Sequence, residues 1–151
     1  MNRETVHRLA TPGDAKRLFE LRRESIIALA PRAGMPVAEA ELWAASLTSV
    51  GMKRRLHEWE VWVVELDGVV VGWGAIRGDC LEALYVAPEF ACQGVGSALL
   101  DRLEALMRER GIAAICAEAS SNAKAFYLRR GYQAAGLQTP DGAWPVTKLL
   151  S

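Results

Sequence analysis

A glycine-rich turn between a predicted strand and a predicted helix has the residue types best suited to chemistry. The turn lies in "ACQGVGSALL", residues 91–100, where one residue separates Gly94 from Gly96. Backbone N–H groups at a helix start have no partner within the helix, and the helix dipole adds partial positive charge there. Because glycine lets the backbone approach a ligand closely, the pattern suits a phosphate-binding turn. It suits a tight corner whose glycines serve packing alone equally well.

Two common phosphate-binding motifs do not fit this turn. A dinucleotide fingerprint needs a third glycine where Leu99 stands, and it belongs near the start of a βαβ unit. A P-loop needs Gly-Lys followed by Ser or Thr, which occurs nowhere in the chain. The two glycines alone therefore do not decide between a phosphate site and a packing corner.

The surrounding sequence predicts the elements that position this turn. A hairpin is predicted over "EVWVVELDGVVVGWGAIRG", joined at Asp67-Gly68, and a strand over "CLEALYVAP". An amphipathic helix from about Gly94 to Arg110 follows. After it come the strand "IAAICAEA", a short helix in "SSNAKAFYLRRG", and closing strands in "YQAAGL" and "WPVTKLL". Before the hairpin, we predict the strand "VHRLA" and helices reaching about Ala30, over Val37 to Leu47 and over "MKRRLHEW".

Composition excludes several classes of protein. The 151 residues include 18 Lys plus Arg and 18 Asp plus Glu, so no net charge attracts nucleic acid or an anionic membrane. The N-terminus has no apolar signal-peptide core, and no apolar run is long enough to span a membrane. Cys80, Cys92 and Cys116 have neither CxxC spacing nor a nearby histidine at ligand spacing. We therefore predict reduced thiols in a cytoplasmic protein, with no disulfide framework and no metal site.

Two segments around the glycine turn resemble the acyl-CoA-binding region of the GNAT-type N-acetyltransferase superfamily. There, a strand ending in L-x-V-x-P leads to a turn R/Q-x-x-G-x-G/A that opens a helix. Leu84, Val86 and Pro88 match the first pattern, and Gly94 and Gly96 match the second. The downstream pattern N-x-x-A-x-x-F-Y-x-x-x-G-[FY] is matched by Asn122, Ala125, Phe126, Tyr127, Gly131 and Tyr132. The resemblance covers roughly residues 60–135 and, more loosely, the whole chain.

The resemblance implies one α/β domain over residues 1–151 with a GNAT-like fold. Its sheet is expected to be mixed but mostly antiparallel, with six to seven strands and helices on both faces. The family splays two neighbouring strands, here Cys80–Ala87 and Ile112–Ala119, and pantetheine occupies the gap like an added strand. Possible homodimerisation also follows from the resemblance.

The same resemblance implies acetyl-CoA as the acyl donor, with no metal. The expected contacts with the coenzyme are Leu84, Tyr85, Val86, Cys92, Gln93, Gly94, Val95, Gly96, Ser97, Asn122, Phe126 and Arg129. The chain departs from the motif at Ala91, where Arg or Gln is usual, and at Cys92, where Gly is common. Backbone amides of residues 92–97 and Ser97 would then hold the pyrophosphate largely alone, or with help from Arg129, Arg130 or Lys124. One missing charge-assisted hydrogen bond costs about 1.5–3 kcal/mol of binding.

The implied reaction is direct transfer of an acetyl group to a primary amine of a small molecule or peptide. Tyr127 matches the family tyrosine that protonates the departing thiolate, although it could simply belong to the apolar face of its helix. A backbone N–H near residues 84–86 is expected to stabilise the oxyanion. Glu82, placed by strand alternation on the face of Leu84 and Val86, is the candidate general base, and Glu118 is its rival. Either carboxylate could instead be a solvated or ion-paired edge residue.

Two questions stay open at this level. A non-catalytic module that binds acyl-CoA as a sensor or scaffold is the alternative to an enzyme, because the motif lacks its usual charged residue at Ala91. The acceptor is not identified. Trp43 and Trp73 are candidates for lining its side of the site, and Glu39 and Glu41 are compatible with a cationic amine.

Overall fold

The computed structural model describes residues 5–120, 123–140 and 142–150, which form one mixed sheet covered by helices. The strands are β1 Thr5–Leu9, β2 Glu60–Leu66, β3 Val69–Arg77, β4 Cys80–Val86, β5 Ala114–Ala119, β6 Gln133–Ala134 and β7 Trp144–Leu149. The helices are α1 Ala15–Leu29, α2 Val37–Ala45, α3 Ser49–Glu58, α4 Val95–Glu109 and α5 Lys124–Arg129. Within the described residues, no helix combines the length and the apolar character needed to cross a membrane.

The seven strands lie in the order β1-β2-β3-β4-β5-β7-β6. Of the described pairs, β4 with β5 is parallel and the others are antiparallel. The tight turn between β2 and β3 is the predicted Asp67-Gly68 pair, and both residues have positive φ, 51° and 81°. The mixed, mostly antiparallel α/β fold is thereby confirmed.

Helices cover both faces of the sheet, as expected. On one face, α4 and α5 bury apolar residues such as Leu99, Leu103 and Tyr127 against the strands. On the other face, α1 and α3 bury residues such as Leu18, Leu21 and Met52. Because the sheet is packed on both faces, the central strands β3 and β4 are held in place, and so are the side chains that β4 directs to each face.

Strands β4 and β5 separate soon after they meet. In the described residues they pair at two positions, Cys80 with Cys116 and Leu81 with Ala117. Each strand is nevertheless held on its other side, β4 by β3 and β5 by β7. The remainder of β4 therefore presents backbone groups to a gap in the middle of the sheet.

A disulfide joins Cys80 to Cys116 at the root of this gap, so the prediction of reduced thiols is wrong for these two residues. The parallel register places the cysteines opposite one another, with their Cα atoms 4.7 Å apart, which lies within the range that a disulfide requires. Nothing in the sequence indicates this pairing, because the two residues lie 36 positions apart on strands that an intervening helix connects.

Candidate active site

The glycine turn has the backbone shape of an anion-binding helix start. Gly94 immediately precedes α4 with φ of 85°, in the left-handed region, and no side chain caps the helix. The first backbone N–H groups of α4 therefore have no intrahelical acceptor and no capping side chain. Cys92 also has a positive φ, 62°, where the family often has glycine. The turn thus offers Val95, Gly96 and Ser97 amides to an anion.

Gly96 brings α4 close to the end of β4. A Cβ at this position would lie 3.3 Å from Cγ2 of Val86 and 4.0 Å from the Phe126 ring. Because a real Cβ is rarely that close to a neighbour, glycine here permits the helix start to sit directly beside the strand end. The turn, Val86 and Phe126 are consequently assembled around one point, as the sequence predicts.

Two of the three basic side chains that could assist the turn have other contacts. Lys124 places its Nζ 3.8 Å from the centroid of the Trp144 ring. Arg130 is ion-paired with Asp101 on α4, whereas Arg129 is exposed on α5. The side-chain amide of Gln93 donates to the Glu89 carbonyl at 3.0 Å, within the turn itself. These contacts leave the backbone amides, with Arg129 as the candidate side chain of the next helix, as the donors at the turn.

A cleft of about 1280 Å³ opens beside the gap between β4 and β5. Its walls come from α1 to α3, from β4 and β5, and from the segment leading into β7. Glu82, Tyr85 and Glu118 all line it. The structure therefore brings both candidate bases to one cavity, together with Tyr85.

A β-bulge corrects the predicted orientation of Glu82. Leu81 pairs with Ile76 and Ala83 pairs with Ala75, so Glu82 is the extra residue on β4 with no partner on β3. Leu84 and Val86 pack in the core beneath α4, whereas Glu82 and Tyr85 face the cleft. Simple alternation, which placed Glu82 on the face of Leu84 and Val86, fails because the bulge shifts the register by one residue.

The two candidate carboxylates differ in burial. The Glu82 side chain is 21% exposed, and its Oε1 accepts from Nη2 of Arg77 at 3.3 Å. Glu118 is exposed and lies opposite Pro145 of β7. Since solvent screens an exposed carboxylate more strongly, Glu82 is the better placed of the two to act on a molecule in the cleft.

Tyr127 is buried on the opposite side of the gap, 6% exposed, with its ring edge-on to Phe126 and Tyr132. Burial, and then the nearby Tyr85, raise the pKa of its hydroxyl well above the usual value. Among the described residues no hydrogen bond engages this hydroxyl. Tyr127 therefore stays protonated at neutral pH and keeps a proton available for donation.

The two tryptophans predicted to line the acceptor side lie in different places. Trp43 lines the cleft, but Trp73 is a core residue with no exposed surface, and its Nε1 donates to the Leu18 carbonyl at 3.1 Å. Asn122, an expected contact of the coenzyme, lies outside the described residues.

Two arginines on the cleft wall were not predicted. Arg22 is 3% exposed on α1 and Arg55 is half-buried on α3, and both line the cleft. The signal was present for Arg22, because it lies four residues after Leu18 and four before Ile26, within the apolar face of α1. A charged residue at such a position is costly to bury and points to a specific role.

The gap in the sheet, the uncapped helix start and the adjoining cleft together form a site for an extended ligand with an anionic end, and comparison with known proteins identifies the family. A family model for the acetyltransferase (GNAT) domain matches residues 57–134. The chain belongs to this GNAT family, and its enzyme class is that of the N-acetyltransferases.

Individual relatives match over most of their length. The uncharacterized N-acetyltransferase YafP of Escherichia coli K12 is 29% identical over 135 residues, which are 88% of this chain and 85% of YafP. A GCN5-related N-acetyltransferase of Rhodopseudomonas palustris superposes with a TM-score of 0.89 at 28% identity, over 99% of both chains. The PaiA N-acetyltransferase of Thermoplasma acidophilum, solved with coenzyme A, has a TM-score of 0.80 at 20% identity, over 97% and 99% of the two chains.

Proposed function

We propose that this protein transfers an acetyl group from acetyl-CoA directly to a primary amine bound in the cleft. The observation that carries the proposal is the gap between β4 and β5, which connects the uncapped start of α4 to the cleft that holds Glu82. An extended cosubstrate with a phosphate at one end and a reactive group at the other fits this path.

The chain's own residues suit each part of acetyl-CoA. The amides of Val95, Gly96 and Ser97 would bind the pyrophosphate at the positive end of the α4 dipole. The unpaired edge of β4, residues 84–86, would hydrogen-bond pantetheine as an added strand. A free backbone N–H on this edge would also serve as the oxyanion donor. Acetyl-CoA supplies the thioester carbonyl that the amine attacks.

Two side chains would handle the protons. In the transfer, a C–N bond forms to the amine as the C–S bond breaks, and the amine loses one proton while the thiolate gains one. Glu82, through a water molecule, would accept the proton of the amine. Tyr127, a phenol that is protonated at neutral pH and has no hydrogen-bond partner among the described residues, would donate to the thiolate. Both roles agree with the positions of these groups on either side of the gap.

Release of free thiol from acetyl-CoA in the presence of a panel of primary amines tests the proposal. We expect amine-dependent release and, separately, thermal stabilisation by acetyl-CoA of roughly 2.7 kcal/mol at about 100 times its Kd. Gly96→Val, which places branched carbon against Val86, should abolish this stabilisation. Stabilisation without release by any amine would instead indicate a non-catalytic acyl-CoA-binding module. Absence of both would refute the site altogether.

A further inference from the structure

Arg22 and Arg55 bring two positive charges to the end of the cleft that Tyr85 occupies. The Cζ atom of Arg22 lies 5.7 Å from the centroid of the Tyr85 ring. Burial, followed by the charge of Arg22, lowers the pKa of the Arg55 guanidinium, so the two groups are close enough to repel one another. Like charges held together in a partly dry cleft cost free energy unless something negative joins them.

The protein itself offsets little of this charge. Arg22 donates through Nη1 to the Ala44 carbonyl at 3.0 Å, and through Nη2 to the Trp43 carbonyl at 3.4 Å and to Ser46 Oγ at 3.2 Å. These acceptors lie at the end of α2, where the helix dipole is negative, but none carries a full charge. The Nε of Arg22 is buried without a hydrogen-bond partner among the described residues. The charge of Arg22 is therefore incompletely satisfied by the protein, which favours an anion beside it in the cleft.

Arg55 makes fewer polar contacts with the protein than Arg22 does. Its guanidinium stacks on the Trp59 ring, with Cζ 4.6 Å from the ring centroid. Within the described part of the chain, neither Arg55 nor Arg22 has an ion pair. Glu82 and Glu58 act on Arg55 electrostatically without forming an ion pair with it. Glu82 is instead paired with Arg77. A stacked guanidinium has its in-plane N–H groups free to form the two parallel hydrogen bonds that carboxylates accept.

The acidic residues of the cleft do not argue for a purely cationic acceptor. Glu39 and Glu118 line the cleft but are exposed, so solvent screens them. The most deeply buried charge on the cleft is Arg22, whereas Arg55 and Glu82 are each partly buried. Glu82 in turn acts electrostatically on Arg55, so the general base and the arginine pair lie within reach of one small molecule.

We propose that the acceptor is a primary amine that also carries a carboxylate, namely an amino acid, with its carboxylate bound by Arg55 and Arg22 and its amine directed to Glu82. This inference rests on the proposed acetyl transfer for its chemistry. The inference adds an anion site, formed by Arg55 and Arg22, that acetyl transfer by itself does not require.

Matched pairs of acceptors test the anion site directly. The common L-amino acids and their L-amino-acid amides share a side chain and an α-amine, but the amide lacks the negative charge of the carboxylate. Its α-amine is also less basic, which favours the amide in the reaction itself, so a preference for the acid must come from binding. With acetyl-CoA as donor, we expect kcat/KM for at least one acid to exceed that of its amide by about 10-fold or more. Arg55→Gln should lower kcat/KM for that acid by about 10- to 100-fold and leave the amide nearly unchanged, because one charge-assisted hydrogen-bonded pair is lost.

Arg54→Gln is the matched control, because Arg54 is exposed on the same helix and the variant removes the same charge. It should retain the acid preference. Equal use of acid and amide by the natural chain would overturn the inference, as would an equal loss for both acceptors in Arg55→Gln.

Calorimetric titration separates this inference from the proposed function. Protein saturated with coenzyme A is titrated with the same acids and amides, so binding is measured without turnover. Acid-selective binding that Arg55→Gln removes supports the anion site even if no amine is acetylated. If amines are acetylated but no acid binds more tightly than its amide, the transfer stands and the anion site is wrong.

Discussion

At the scale of single residues, the site separates its two proton-handling groups by their surroundings. Tyr127 is buried among aromatic rings, and burial keeps its hydroxyl neutral, whereas Glu82 stands on a bulge at the wall of an open cleft. A buried phenol suits a proton donor, and a carboxylate near solvent suits an acceptor that works through water. Each assignment can be tested by removing one functional group while keeping the shape of the side chain.

Tyr127→Phe should reduce kcat by about 100-fold, because it removes the proton donor for the thiolate. Since no described residue bonds its hydroxyl, we expect KM for acetyl-CoA and the melting temperature to stay nearly constant. Tyr132→Phe is the control. Its ring lies 5.2 Å from that of Tyr127, but its hydroxyl donates to buried Glu104, so this variant should lose stability and keep kcat. Unchanged kcat in Tyr127→Phe would remove the residue from the mechanism.

Glu82→Gln should lower kcat/KM by about 100-fold, because the group that accepts the proton of the amine is gone. Glu118→Gln, on the same cleft wall, should retain the rate. Steady-state rates of the two variants, measured with acetyl-CoA and the same amine, decide between the carboxylates. If the rate falls in Glu118→Gln instead, the base is Glu118.

At the scale of elements, the local sequence pattern predicts the helices and strands, but it does not predict how neighbouring strands align. The hairpin follows from the apolar spacing of its strands and from Asp67-Gly68 between them. Helix α4 follows from its amphipathic spacing, and the turn before it follows from Gly94. The bulge at Glu82 depends on how β4 aligns with β3, and the Cys80–Cys116 bond depends on how β4 aligns with β5. Both arise from pairings between strands, which single-strand periodicity does not contain.

The disulfide at the root of the gap should contribute measurably to stability. For its sequence separation of 36 residues, loop-closure entropy gives about 3–4 kcal/mol. We expect Cys116→Ser to lower the free energy of unfolding in urea by about that amount and Cys92→Ser, outside the bond, to change it little. Thiol alkylation of the native, unreduced protein should modify Cys92 and spare the other two cysteines. Modification of all three under these conditions would contradict the bond.

At the scale of the whole molecule, a chain with equal numbers of acidic and basic residues distributes its charge unevenly. Buried Glu104 on α4 accepts hydrogen bonds from Lys148 of β7 at 2.8 Å and from Tyr132 at 3.0 Å. These bonds connect the helix to the β7–β6 edge of the sheet. The arginine pair on the cleft has no such partner among the described residues. The charges that tie elements together are thus compensated internally, and the contrast with the arginine pair supports the anion site proposed for it.

A second set of ion-paired charges, around Arg8, connects the edge strand β1 to the start of α1 and makes the stability of the fold depend on pH. Arg8 on β1 donates to both Asp14 oxygens, at 2.9 and 3.0 Å, and to Glu65 on β2 at 2.8 Å. Hydrogen bonds from Arg8, and then from Thr11, lower the pKa of Asp14 from 3.8 to about 2. Because the folded pKa lies below the unfolded one, this stabilisation is complete above pH 3.8 and is lost as the pH falls toward 2.

Asp14→Asn should therefore lower the free energy of unfolding by about 1 kcal/mol at neutral pH, a value reduced by solvent screening. The difference from the natural chain should shrink as the pH falls below 3.8 toward 2, where Asp14 becomes protonated in the folded state as well. Urea unfolding at a series of pH values measures it. Glu24→Gln is the control, because Glu24 is exposed and its ion pair with Arg17 is long, 3.6 Å, so it should show little difference at any pH. An Asp14→Asn difference as large at pH 2 as at neutral pH would mean that the variant acts through packing and not through charge.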